Sequence, residues 1–288
     1  MTKRVAEKAT FLYIDYIKNN ILNEAKIRFF GGEPLLQWDL IKRIMERTEK
    51  ESLKINFDLT TNGLLLDAEK IEFFGKHPEI ELIISLDGGV SSQNLNRNFN
   101  RKINSFENIH RHKKELSMLP NITINMVIAP NQVHKFYQNF KHIYELGFRR
   151  LNFLPAYFVF WPKKNLAFLK KGFSEILSFI KNNKNISVKN MDVLSETPFF
   201  NQGIVIDCNG DIYHTNIFLS RHFEKLSDGL REGNILDSKL VVLPNRESNG
   251  TMKLIKNNID PKLYYSTLRA DSILSNFVLK LKNTYAKN

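Results

Sequence analysis

The sequence predicts an α/β protein whose parallel sheet curls around a polar lumen, and three observations carry that prediction. Strand-like runs alternate with helical stretches of ten or more residues, polar and apolar residues alternate inside each run, and turn residues gather where the runs end. A parallel strand buried on both faces would read as a continuous apolar run. Here Ile27 and Phe29 alternate with Arg28; Phe57 and Leu59 with Asp58, Thr60 and Asn62; Leu82, Ile84 and Leu86 with Ser85 and Asp87; Ile124, Met126 and Ile128 with Thr123 and Asn125; Leu151 and Phe153 with Arg150 and Asn152. With the apolar set against helices, the other face of the sheet is polar, whereas a packed barrel interior would be Val, Ile and Leu.

Taken in order, apolar positions recur at helical spacing over 3–22, 36–52, 67–76, 104–117, 132–146 and 165–183. Between them lie the strands 26–30, 55–63, 81–88, 121–128 and 149–156. Beyond about residue 185 the pattern changes. Residues 203–219 read as a hairpin around Asn209 and Gly210, a pair that supplies positive φ in tight turns. Strand-like sequence follows at 232–244, and 261–283 reads as an amphipathic helix with Leu263, Ala270, Leu274, Phe277 and Leu281 on one side. The segment "NNKNISVKN" reads as an exposed link, which puts a boundary within 185–200 and divides the chain into 1–156, 157–195 and 196–288.

Composition narrows the function classes. At 288 residues and 42% hydrophobic, the chain has enough apolar material for a real core. No apolar run of transmembrane length and no secretory leader is visible, so the expected compartment is the cytoplasm and no membrane partner is expected. The net charge of +12 would suit an anionic partner, yet Lys and Arg are mostly interleaved with acids, as on solvated helix faces. Nucleic acid is therefore not the expected partner, and the mixed basic and aromatic stretch 148–171 is explained by core aromatics under a basic surface. The single cysteine, Cys208, excludes a disulfide framework and any clustered-thiolate metal site; it reads as a small, partly buried residue. Seven histidines are scattered, and His110 and His112 face different sides of a helix, so no metal-ligating set is expected.

Three stretches at strand ends stand out. "FFGGEPLL" (29–36) is a strand end, a glycine turn that lets a ligand approach backbone, and then Glu33 and Pro34 at a helix start. Proline suits a first helical turn and the helix dipole favours an acid there, so the stretch also makes sense without a ligand. "TTNG" (60–63) and "SLDG" (85–88) read as turn or capping sequences by themselves.

In this order and spacing, and with "LNFLP" (151–155) following a Gly-Phe pair, these motifs resemble the radical S-adenosylmethionine enzymes, in the sulfatase-maturase-like and peptide-modifying branch. The resemblance covers residues 1–156 well; more loosely, "IDCNGDIYHT" (206–215) resembles a degenerate SPASM-like region. It implies an incomplete (β/α)6 partial barrel that lacks its first strand, followed by a small α+β region. It also implies a maturase or oxidoreductase acting on a peptide or small protein. Gly31, Gly32, Glu33 and Pro34 would meet the amino group of S-adenosylmethionine; Ser85 and Asp87 would lie near its ribose and carboxylate; and Asn62, Asn125 and Asn152 would be lumen groups holding cofactor or substrate.

Relatives carry a Cys-x3-Cys-x2-Cys loop whose thiolates hold a [4Fe-4S] cluster, and this chain does not contain it. Thr215 stands where relatives with an auxiliary-cluster hairpin place a cysteine, with Cys208 across the turn. No catalytic or metal-ligating residue is therefore expected, and the chain as written is expected to be inactive and truncated at its N-terminal side. The edge at 26–30 would be uncovered, a place for a missing segment or a partner chain. The alternative is a cluster-free scaffold that binds S-adenosylmethionine or peptide without catalysis.

Overall fold

The computed structural model describes residues 1–20, 24–51, 53–97, 104–192, 203–220, 222–237 and 248–286. The chain divides into two compact units, one comprising Met1–Ala25, Gln37–Ile55 and Ser195–Tyr264, the other Lys26–Leu36, Asn56–Leu194 and Tyr265–Asn288.

The second unit is built on a six-stranded sheet in the order β1 (Glu24–Phe29), β2 (Lys54–Thr61), β3 (Ile80–Ser85), β4 (Ile122–Ile128), β5 (Arg150–Pro155) and β6 (Ser187–Val188). Neighbours from β2 to β6 pair in parallel. Helices α3 (Ala68–Lys76), α4 (Val90–Arg97), α5 (Ser105–Arg111), α6 (Lys113–Ser117), α7 (Phe136–Glu145) and α8 (Lys163–Asn182) fall between the strands, and most of α11 (Pro261–Tyr285) returns to this unit.

The alternation of β5 sorts its side chains as expected: Leu151, Phe153 and Pro155 are buried, and Arg150, Asn152 and Leu154 are partly exposed. The Phe153 ring packs against Phe136 and Phe140 of α7, Phe173 of α8 and Phe277 of α11, with centroids 5.7–6.2 Å apart. Such aromatic contacts add to the burial of their large apolar surfaces. The close approach of α7 and α8 requires Gly172, where a Cβ would sit 2.5 Å from Phe136 Cδ1. On the opposite face, polar side chains bond to one another across the strands, as in Arg28 to Asp58, Thr123 to Glu81 and Asn152 to Asn125. Ile83 and Val127 interrupt this face, so it is polar without being uniformly so.

The first unit contains α1 (Lys3–Asn19), α2 (Trp38–Thr48), α10 (Ser248–Asn258) and the three-stranded sheet of β7 (Val205–Ile206), β8 (Asp211–Tyr213) and β9 (Arg231–Asn234), with the one-turn α9 (Ser227–Leu230) just before β9. Val5 of α1 shares an apolar cluster with Ile212 and Ile235 of that sheet region. The expected turn is present: Gly210 has φ +95°, and Gly210 N–H donates to Asp207 O.

Several elements differ from the sequence reading. The supposed link at 182–190 contains β6, with Ile186 and Val188 buried, because two residues of strand leave no detectable period. Helix α4, "VSSQNLNR", went unseen because it has almost no apolar positions, and the predicted helix 104–117 breaks at His112 into α5 and α6. Cys208 is exposed rather than partly buried, since it points outward from the turn between β7 and β8. The expected strand at 232–244 is β9 at its start, and residues 238–244 lie outside the described ones. Among the described residues, no helix is long and apolar enough to cross a membrane.

Candidate functional site

The glycine-rich turn leaves β1 at Phe29 and passes into a 3-10 turn, Pro34–Gln37, before α2 begins at Trp38. Gly31 has φ +145°, a conformation that glycine adopts without the penalty a Cβ brings. A Cβ added at Gly31 or Gly32 would meet nothing within 4 Å, so the backbone of this turn faces open space.

Glu33 uses its carboxylate inside the protein. Oε1 accepts from the Thr61 hydroxyl at 2.7 Å and from Leu35 N–H at 3.1 Å, and Oε2 accepts from Asn62 N–H at 2.9 Å. The acid therefore caps its own 3-10 turn and ties it to the carboxyl end of β2. A carboxylate has about four acceptor positions, so one direction remains for a further donor.

Register brings the predicted polar residues together. Ser85 of β3 is opposite Asn125 of β4, and Asn125 is opposite Asn152 of β5. Asn152 Nδ2 donates to Asn125 Oδ1 at 2.9 Å. The β2–β3 register ends with Thr61 opposite Ile84, so Asn62 extends the same row by one position past the strand. Asn62 Oδ1 also accepts from Leu64 N–H at 2.8 Å, shaping the turn that follows. Glu33, Asn62, Ser85, Asn125 and Asn152 thus form one polar line along the carboxyl ends of β1 to β5. Pro34 opens the 3-10 turn beside it.

Asp87 lies past the end of β3 and is 2% exposed. Both its oxygens are held by Arg97 of α4, at 2.8 and 2.9 Å, and Oδ1 also accepts from Val127 N–H at 3.0 Å. It acts here as an anchor that fixes α4 and β4 around the row. Gly88, next to it, has φ +140°, and a Cβ there would sit 2.4 Å from Asn139.

Sequence reasoning missed several supporting residues. Gln93 accepts from Asp87 N–H at 2.8 Å and donates to Ser85 O and to the Ser105 hydroxyl, both at 3.1 Å. Asn108 donates to the carbonyls of Gly63, Leu64 and Leu66, fastening the loop after β2. Thr61 and Arg97 complete the set. Gln93, Arg97 and Asn108 lie outside the motifs read in the sequence, and Thr61, although inside "TTNG", acts on a glutamate 28 residues away.

Below the row the sheet face becomes ionic. Asp58 pairs with Lys26 at 2.9 Å and with Arg28 at 3.0 Å. Burial alone would raise the Asp58 pKa, but the hydrogen bond from Lys26 and the charges of Lys189, Lys26 and Arg28 outweigh it and hold the carboxyl below its ordinary value. Thr123 donates to Glu81 at 2.6 Å, Arg150 Nε donates to Thr123 at 3.1 Å, and Lys189 pairs with Glu81. At the other end of β5, Tyr157 donates to Asp271 of α11 at 2.6 Å; burial raises the pKa of both groups.

Among the described residues no group of three His, Cys, Asp or Glu is placed to hold a metal ion.

Residues 11–143 match the family model described as the radical SAM superfamily. Over these residues the chain is similar to that family. A curated relative, the radical SAM cyclopropyl synthase TigE of Paramaledivibacter caminithermalis, is 35% identical over 80 residues, which are 26% of this chain and 17% of TigE. The match therefore spans about a sixth of that relative's length. Among solved structures, anSMEcpe with bound AdoMet and Cp18Cys peptide aligns at TM-score 0.73 and 20% identity, over 98% of this chain and 91% of that one. Streptococcus suis SuiB bound to precursor peptide SuiA aligns at TM-score 0.52 and 16% identity, over 90% of this chain and 58% of SuiB. These similarities agree with the sheet and helix arrangement of a radical SAM partial barrel with a C-terminal region.

Proposed function

We propose that this chain is the cofactor- and substrate-binding part of a maturase- or oxidoreductase-type radical SAM enzyme that modifies a peptide or small protein. One observation carries the reading: the open Gly31–Gly32 turn stands at the head of a continuous polar row, Glu33 to Asn152, along the strand ends. That set fits S-adenosylmethionine. The turn's carbonyls and the remaining acceptor position of Glu33 would take the ammonium group, and Asn62, Ser85, Asn125 and Asn152 offer amide and hydroxyl partners to the rest of the molecule. When bound, the cofactor supplies the sulfonium carbon–sulfur bond that the family's chemistry breaks. Asp87, held by Arg97 and Val127, positions the loops around it and need not touch it. A peptide substrate is supported by the bound peptides named for anSMEcpe and SuiB.

A [4Fe-4S] cluster does not fit the residues present. One cysteine, exposed in a turn, cannot supply three thiolates. In this reading the cluster ligands come from outside these 288 residues, and the chain alone does not start the reaction. The same single cysteine favours a second reading, a scaffold that binds S-adenosylmethionine or peptide without catalysis.

One experiment separates them. The chain is fused at its amino end to a segment carrying Cys-x3-Cys-x2-Cys, reconstituted with iron and sulfide, and reduced with dithionite in the presence of S-adenosylmethionine. The enzyme reading predicts a brown protein that releases 5'-deoxyadenosine. A brown, folded protein that leaves the cofactor intact contradicts it.

A further inference from the structure

The positive charge of the chain is concentrated in one stretch. Residues 129–184 hold ten Lys or Arg against two Asp or Glu, so they supply +8 of the chain's +12. The stretch contains α7, β5 and α8, all within one compact unit. Half of its cations are on α8: Lys163, Lys164, Lys170, Lys171 and Lys181, every one exposed. A solvated helix face ordinarily interleaves its lysines with acids. Helix α8 has a single acid, Glu175, 3.9 Å from Lys171. Among the described residues the other four lysines have no acidic partner, and Lys164 has only the Phe168 ring, 5.9 Å from its head. Lys163 and Lys164 also stand in the first turn, without an acid beside them, where the helix dipole disfavours cations. A sequence that breaks a local rule in this way commonly does so at a functional site.

The lysines are ordered in two rows. At about 3.6 residues per turn, Lys163, Lys170 and Lys181 line one side of the exposed strip of α8, and Lys164 and Lys171 line the other. The surface between them is made by Ala167, Ser174 and Ser178, all exposed. An extended chain sends alternate side chains to opposite sides, so one lying along the strip presents acids to both rows. From Lys163 to Lys181 the strip is about 27 Å long, which about eight residues of extended chain cover. The strip also has a direction. Strand β5 ends at Pro155 and α8 starts at Lys163, at the carboxyl end of the sheet, whereas Lys181 comes shortly before β6, which pairs in parallel with β5. A segment lying on α8 therefore leaves it at Lys163, at the end of the sheet where the row from Glu33 to Asn152 stands.

We propose that the exposed face of α8 docks an acidic segment of the peptide substrate, in extended form, and so tethers the substrate while another part of it enters the site. The proposal deepens the peptide-substrate reading above and rests on it for the nature of the ligand. Charge complementarity selects the occupant, because the unpaired lysines attract carboxylates from solution. A second copy of this chain is a poor occupant, since two such faces would meet with like charges. Nucleic acid also fits less well: the strip carries lysines without an arginine fork, and no aromatic side chain lies between its lysines for bases to stack on.

The test is a fluorescence-anisotropy titration of the full chain, at low salt, with labelled acetyl-Glu-Glu-Ser-Glu-Glu-Ser-Glu-Glu-amide and its uncharged counterpart carrying Gln at every Glu. The acidic peptide is expected to bind saturably and at least tenfold tighter, and to weaken as salt is raised. The triple variant Lys164→Gln, Lys170→Gln, Lys171→Gln is expected to lose at least tenfold. The control removes the same charge from α1, whose lysines have partners within the chain: Lys3→Gln, Lys8→Gln, Lys18→Gln is expected to stay within twofold of wild type. Both variants are verified as folded by circular dichroism. Equal losses in the two variants, no saturable binding, or a single-stranded uridine RNA octamer that binds more tightly than the acidic peptide overturns the proposal. S-adenosylmethionine binding is measured on the same sample. Peptide binding without cofactor binding sinks the enzyme reading and leaves this docking face standing, and cofactor binding without peptide binding does the reverse.

Discussion

The Thr61 hydroxyl donates to the Glu33 carboxylate at 2.7 Å, which fastens the turn after β1 to the end of β2. With Asn62 N–H and Leu35 N–H on the same carboxylate, Glu33 is a structural clasp at the head of the polar row. An acid at a helix start is commonly read through the helix dipole, but here it satisfies three specific donors.

Replacing Glu33 by Ala strands those donors. Each hydrogen bond to a charged group is worth about 1.5–3 kcal/mol, and water reaches part of this half-buried site, so Glu33→Ala is expected to cost about 2–3 kcal/mol in urea unfolding. Glu33→Gln keeps the shape and one carbonyl acceptor, and is expected to lose about half as much. Equal stability of wild type and Glu33→Ala would show that the clasp contributes nothing.

Asp87 is the more deeply buried anchor. Asp87→Ala leaves the Arg97 guanidinium and Val127 N–H without their acceptor, and removal of one partner from a buried pair costs about 3–5 kcal/mol. The expected value is at the lower end, about 3 kcal/mol, because Arg97 is 23% exposed. Hydrogen exchange checks the mechanism: α4 amides should lose protection in the variant before those of α8 do.

Acid should act through Asp58. Its folded pKa is below its unfolded one, so the stability it contributes is fully present above the unfolded carboxylate value, about 3.9, and is lost as pH falls through the lower folded value. Wild type and Asp58→Asn should therefore differ by about 2 kcal/mol at pH 7 and converge in acid. A difference independent of pH between 7 and 3 would contradict the assignment.

Much of this was legible before any coordinates. The period-two alternation in five strands located both the helix-facing core around Phe153 and the polar face, and "FFGGEPLL", "TTNG" and "SLDG" marked the strand ends where Glu33, Asn62 and Ser85 stand. Period alone could not reveal β6, whose two residues are too few to repeat, nor α4, whose polar composition hides its contact through Arg97. The uses of Glu33 and Asp87 were equally invisible. A carboxylate reads the same in a sequence whether its partner is a ligand or a threonine 28 residues away.

The central claim is that the row from Glu33 to Asn152 binds S-adenosylmethionine, and calorimetric titration of the cofactor into the chain tests it most directly. The account predicts saturable one-to-one binding that weakens at least tenfold in the Asn125→Ala, Asn152→Ala double variant while its unfolding remains cooperative. A folded wild-type sample that gives no binding heat at any temperature tried, or a double variant that binds as tightly as wild type, would contradict it.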